Sequence, residues 1–130
     1  MQKQTLSESK IQSIFVYYFR HFYPDVLIFS IPNGAFFANQ IQASKLKREG
    51  MVSGIPDLFV PEWKFWIEFK KNKKLKLSKN QEIVMHYLEK HNYEVVVFFG
   101  LLESLLALPF FCVGREGLKT RRQKDFNTNF

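Results

Sequence analysis

Asp57, Glu68 and Lys70 are the residues of this chain whose types and spacing can do chemistry. They lie in a stretch that reads Gly54-Ile55-Pro56-Asp57-Leu58-Phe59-Val60, then Pro61-Glu62-Trp63-Lys64, then Phe65-Trp66-Ile67-Glu68-Phe69-Lys70. Two short apolar and aromatic runs flank a segment containing Pro61, the pattern of two strands joined by a tight connection. Side chains alternate faces along a strand, so Phe65, Ile67 and Phe69 share one face and Trp66, Glu68 and Lys70 the other. If the strands pair antiparallel, Asp57 comes level with the end of the second strand. Two carboxylates and an ammonium then converge at one end of a hairpin. Hard divalent cations such as Mg²⁺ take one or two carboxylates together with water and substrate phosphate. A lysine beside such an ion can orient or deprotonate an attacking water. The plainer account is a solvated Glu-x-Lys strand face and an Asp in a turn after proline. The apolar neighbours and the position of Asp57 bring the two accounts level.

The elements that must position these residues can be read along the chain. Residues 6–22 have Ile11, Ile14, Phe15, Tyr18, Phe19 and Phe22 at helical spacing, and Pro24 ends the pattern. Glu8 lies on the same stripe. From the residues alone it fits a capping box with Thr5. A strand is expected over 26–31, closed by the turn signature Pro32-Asn33-Gly34. A second helix is expected over 37–49, stopped by Gly50. Its Lys45, Lys47 and Arg48 suit either the helix macrodipole or contact with phosphate. After Lys70 come Lys71, Lys73, Lys74 and Lys76. They read as an exposed loop at the mouth of the site, and position favours contact with an anionic partner over mere solubility. A third helix over 78–91 places Ile83, Val84, Tyr87, Leu88 and His91 on one face, and Ser78 with Gln81 fits a capping box. His86 and His91 have no Cys or His partner at ligand spacing and read as ordinary surface residues. The apolar run 93–99 predicts a central strand buried on both faces, ended by Gly100. A short helix over 101–108 stops at Pro109, and 110–113 suits an edge strand. Residues 1–113 form one expected domain, and 114–130 a basic tail.

The 130 residues suffice for one core, and 46% hydrophobic with 17% aromatic content argues against disorder over most of the chain. A formal net charge of +7 points to an acidic partner such as nucleic acid. The single Cys112 leaves no internal disulfide and fits a reducing compartment. No run has membrane-spanning length, the first residues lack a signal-peptide centre, and the first helix has too few cations for a membrane-surface helix. The expectation is a cytoplasmic protein. Helices and strands alternate in the order of an α/β layer fold with a small mixed sheet.

Gly-Ile-Pro-Asp followed by Ile-Glu-Phe-Lys, with Leu77-Ser78-Lys79-Asn80-Gln81 after it, resembles the VRR-NUC family of the PD-(D/E)XK nucleases. The likeness extends to Ile31-Pro32-Asn33-Gly34, to Leu46-Lys47-Arg48-Glu49-Gly50 and to Glu8 with Ile11-Gln12, over about residues 5–105. It implies a restriction-endonuclease-like αβββαβ core and metal-dependent cleavage of DNA, with Mg²⁺ or Mn²⁺ as cofactor. By the same likeness Asp57, Glu68, the Phe69 backbone carbonyl and Glu8 are the metal ligands. Lys70 acts on the attacking water, Gln81 steadies the catalytic end, and the products are a 5′-phosphate and a 3′-hydroxyl. Stand-alone relatives imply a homodimer acting on four-way junctions or other branched DNA, with duplex DNA also open. The adjacent pairs Phe36-Phe37 and Phe110-Phe111 are surplus aromatic surface for such an interface. The competing reading is an inactive nuclease fold that only binds nucleic acid. The intact acids and Lys70 favour the enzyme.

Overall fold

The computed structural model of the chain describes residues 5–32 and 39–111. The first helix, α1, spans Glu8–Phe22 and sends three residues into the core. Ile11, Phe15 and Phe19, four residues apart, are 1%, 0% and 0% exposed. Tyr18 and Phe22 remain outside at 42% and 52%, so the buried stripe is narrower than the periodicity implied. Its N-cap is Ser7, whose hydroxyl accepts the Lys10 N–H at 3.2 Å. The capping box between Thr5 and Glu8 does not form, because the helix starts at Glu8 itself, two residues later than expected.

Four strands form one sheet in the order β1-β2-β3-β4: Phe29–Ser30, Leu58–Val60, Phe65–Lys70 and Glu94–Phe99. The strand expected over 26–31 shrinks to two residues; Val26 and Ile28 are buried in the core but outside any ladder. β1 and β2 pair antiparallel, as do β2 and β3, with Leu58 opposite Ile67 and Val60 opposite Phe65. The link between β2 and β3 is a 3₁₀ turn over Pro61–Trp63, closed by Lys64 in the left-handed region at φ 50°. β4 pairs parallel to β3 along its whole length. Such a crossover needs an intervening element, and α3 (Lys79–Lys90) supplies it.

β4 lies at the rim of the sheet, not at its centre, and most of it is half-buried. An apolar run records coverage of faces, which the neighbouring helices provide. It does not record whether a strand has one ladder partner or two. After Gly100, α4 (Leu101–Ala107) runs into a 3₁₀ turn over Leu108–Phe110, so the edge strand expected from 110 does not start there; residues 112 and 113 lie outside the described residues. α1 and α4 cover the face carrying Phe65, Ile67 and Phe69. Phe15 meets Phe69 edge-on at 5.3 Å, and Phe111 meets Phe65 at 5.1 Å. Burying each such ring contributes roughly 1.5–3 kcal/mol.

α3 lies on the opposite face. Gln81, Val84, Met85 and Leu88 are its half-buried positions, whereas Ile83 and Tyr87 are 57% and 60% exposed. The inward stripe is therefore rotated from the expected one, and Gln81 is its polar member. α2 (Gln40–Arg48) has no buried residue; Asn39 caps it, accepting the Gln42 N–H at 2.8 Å. No described helix is long and apolar enough to cross a membrane. Asn33, Gly34, Phe36, Phe37 and the basic tail 114–130 lie outside the described residues.

Candidate active site

Antiparallel pairing of β2 with β3 sets Asp57 one step before Leu58, level with Glu68. There Asp57 Oδ2 accepts the Phe69 N–H at 2.8 Å. The N–H and C=O of one strand residue point to the same edge. The Phe69 carbonyl thus faces the β2 side, beside Asp57. Lys70 turns its carbonyl the other way and accepts the Gly100 N–H at 2.9 Å.

On the face opposite the aromatic core, Glu68 and Lys70 are 5% and 9% exposed, unusually deep for charged groups. Their heads are 3.4 Å apart, so the pair is a buried salt bridge. Gln81 joins both. Its Nε2 donates to Glu68 Oε1, and its Oε1 accepts Lys70 Nζ at 3.0 Å. The same Oε1 accepts the Ser78 N–H at 2.9 Å, while Ser78 Oγ accepts the Gln81 N–H at 3.2 Å. The capping box expected from the sequence is present, and its glutamine also holds the acid and the lysine together.

Glu8 comes from the far end of the sequence. Its Oε1 accepts the Lys71 N–H at 3.1 Å, which ties the start of α1 to the residue after β3. Its charge raises the proton affinity of both Asp57 and Glu68. Burial is the largest cause for both. It pushes the Glu68 carboxyl up to about 7, reinforced by Asp57 and opposed by Lys70. Burial also raises Asp57, against the bond from the Phe69 N–H. Among the described residues, no three or more His, Cys, Asp or Glu side chains are gathered closely enough to hold an ion by themselves. Glu8 shares the electric field of the other two acids while its carboxylate is engaged with the backbone.

Gly54 opens the hairpin motif in the sequence, and in the fold it packs against the first turn of α3. At φ +91° it packs so closely on α3 that a Cβ would come within 2.5 Å of the Asn80 carbonyl carbon and 2.8 Å of the Gln81 nitrogen. Beside it, Asn80 Nδ2 donates to Ser53 Oγ at 3.2 Å. A glycine three residues before the aspartate was the available signal. Lys71, Lys73, Lys74 and Lys76 are exposed on the loop leaving β3, directly beyond Lys70. Lys45, Lys47 and Arg48 are exposed on α2, with Lys45 3.8 Å from Glu49. None of the hydrogen bonds or ion pairs among the described residues links those three to the acids.

A solved structure described as a VRR_NUC domain protein superposes on this chain with a TM-score of 0.63 at 21% identity, covering 82% of this chain and 88% of that one. The chain has the VRR_NUC fold. No family model and no curated protein sequence matches it. The VRR_NUC likeness is therefore one of architecture, a mixed four-stranded sheet between helices. That fold places Asp57, Glu68, Lys70, Gln81 and Glu8, drawn from two helices and a hairpin, at one end of the sheet.

Proposed function

We propose that the chain is a Mg²⁺- or Mn²⁺-dependent DNA endonuclease that hydrolyses phosphodiester bonds in branched DNA such as four-way junctions, and that it acts as a homodimer. The observation that carries this is a buried carboxylate, Glu68, joined by Gln81 to a buried lysine, Lys70, with the half-buried carboxylate of Asp57 beside them. A structural salt bridge needs one acid; the second acid, Asp57, makes the site electrostatically costly unless a cation arrives. The donor set fits a hard divalent ion, which takes one or two carboxylates and completes its shell with water and phosphate. Asp57, Glu68 and the Phe69 carbonyl would hold it, with Glu8 adding negative charge. When bound, the ion supplies Lewis acidity toward a phosphoryl oxygen and toward water.

The chain's own residues do the rest. Lys70 orients the attacking water and stabilises charge that develops on the phosphoryl oxygens. Gln81 fixes the Lys70 ammonium by accepting from it, and fixes Glu68 by donating to it. The water oxygen bonds to phosphorus as the bond to the 3′ oxygen breaks; the water's proton is lost and the 3′ oxygen gains one. The products are a 5′-phosphate and a 3′-hydroxyl. The lysine loop follows the backbone of the DNA beside the cut. Support for a dimer comes from α4: Leu102 and Leu106, one turn apart, are 71% and 62% exposed, and Phe110 just beyond is 71% exposed.

The test is cleavage of labelled duplex, flap and four-way-junction DNA with Mg²⁺, Mn²⁺ or EDTA. Wild type cuts with either ion and not with EDTA. Asp57→Ala and Glu68→Ala lose cleavage and metal binding together. Lys70→Ala loses cleavage and retains metal binding, as read by calorimetry. Full cleavage by Lys70→Ala with unchanged circular dichroism refutes the assignment.

A further inference from the structure

One side of α1 is polar although it borders the core. Ser9, Gln12, Ser13 and Arg20 recur at helical spacing beside the buried stripe. Across from them stands Ser30 on β1, an edge strand of only two residues. Because the edge is so short, α1 and β1 are separated by an open trough of about 260 Å³. Its floor is apolar, from Val16, Ile28 and Leu58, and its walls are polar. Among the described residues no carboxylate lines it. A second concavity of about 410 Å³ adjoins it across Arg20 and takes in Tyr17 and His21. Tyr17 is 70% exposed and meets the Tyr18 ring edge-on at 5.3 Å.

The trough and the candidate active site share two neighbouring segments, the start of α1 and the turn before β2. Ser9 follows Glu8, and Ser30 pairs with Leu58, next to Asp57. The Ile31 N–H donates to the Asp57 carbonyl at 3.1 Å, so β1 ends against the acid-bearing turn. From Glu8 to Arg20 the helix rises ~18 Å at 1.5 Å per residue. That length accommodates several nucleotides of a single strand. Arg20 is in no salt bridge among the described residues. A channel with an apolar floor for bases, hydroxyl and amide walls, one guanidinium and an aromatic ring at its far end matches what a single strand needs.

We infer that this trough holds a single-stranded segment of DNA leading out of the active site, with Arg20 on a phosphate and Tyr17 stacked on a base. The inference rests on the nuclease reading and names the part of the substrate that lies beyond the cut. It accounts for a preference for branched or tailed DNA by a site separate from the lysine loop.

The experiment compares two DNAs, a blunt duplex and the same duplex with a six-nucleotide single-stranded tail, by fluorescence anisotropy in metal-free buffer. For wild type the tail is expected to tighten binding about tenfold, the scale of one stacked base. Arg20→Gln and Tyr17→Ala each remove most of that gain. Arg20→Gln also lowers the log–log salt slope on the tailed DNA by about 0.7, the loss of one single-strand phosphate contact. Ser30→Trp blocks the trough from the opposite wall and gives the same loss of gain without altering α1. A tail that adds nothing for wild type overturns the inference. So do variants that weaken blunt and tailed DNA equally while circular dichroism is unchanged. If Mn²⁺ produces no cut in either DNA, the nuclease reading fails on its own, and the binding comparison still decides the trough.

Discussion

Glu68 shows how far a buried position can change one residue. An ordinary glutamate carboxyl titrates near 4.5; burial beside Asp57 pushes this one up to about 7. Between those values the folded protein keeps a proton that the unfolded chain has released. The group's contribution is therefore full below 4.5 and is lost as pH rises through about 7. Metal-free wild type is expected to lose on the order of 2 kcal/mol of stability between pH 5 and 8 relative to Glu68→Gln. Urea unfolding at both pH values measures this, and identical pH slopes for the two proteins would contradict it. Added Mn²⁺ should restore stability to wild type at pH 8 and do less for Glu68→Gln. Asp57, Glu68 and Lys70 were legible in the sequence because strand alternation and one register suffice to bring them together. Glu8 was legible only as one of two options. Choosing between them required knowing that Ser7, not Thr5, starts the helix.

Among the elements, the hairpin was read correctly in all but its turn, since its pattern is local. α3 was misread in its inward face. Its stripe includes Gln81, and a polar residue cannot be assigned inward from hydropathy alone. Gly54 packs directly on the first turn of α3, beside the bonds that Gln81 makes to β3. Gly54→Ala should therefore cost about 2 kcal/mol or more, through left-handed strain and a backbone clash. It should also slow cleavage by at least tenfold beyond any loss of folded protein, since Gln81 must move. Thermal unfolding and activity per folded molecule separate the two effects; wild-type activity in a merely destabilised variant would show that the contact does not position Gln81. The lysine loop is tested at this scale too. Replacing Lys71, Lys73, Lys74 and Lys76 with Ser should flatten the salt dependence of duplex binding by two or more units and leave metal affinity unchanged. An unchanged slope would mean that the loop faces away from DNA.

For the whole molecule, the layer architecture followed from the order of elements, while the lateral order of strands did not. Nothing in Glu94–Phe99 distinguishes a rim strand from a central one when helices cover its faces. The homodimer belongs at this scale. If Leu102, Leu106 and Phe110 form its contact, Leu102→Asp with Leu106→Asp should give monomers at micromolar concentration with unchanged secondary structure. The double variant should nick a cruciform plasmid where wild type linearises it, because paired cuts need two sites in a fixed relation. Light scattering and plasmid topology read the two outcomes. A wild type that sediments as a monomer and only nicks the plasmid would remove the paired-cut proposal.

The three bonds made by the Gln81 side chain also bear on which replacements survive selection. At an ordinary helix start the third position accepts glutamate as readily as glutamine, since either can reach back to the N-cap amide. Here glutamate would keep that reach and lose the Nε2 donor from which Glu68 accepts, adding a fourth acid instead. A library of codon-81 variants sorted for folded protein would retain glutamate, whereas one sorted for DNA cleavage would discard it. Position 81 would therefore look permissive or stringent according to the trait under selection.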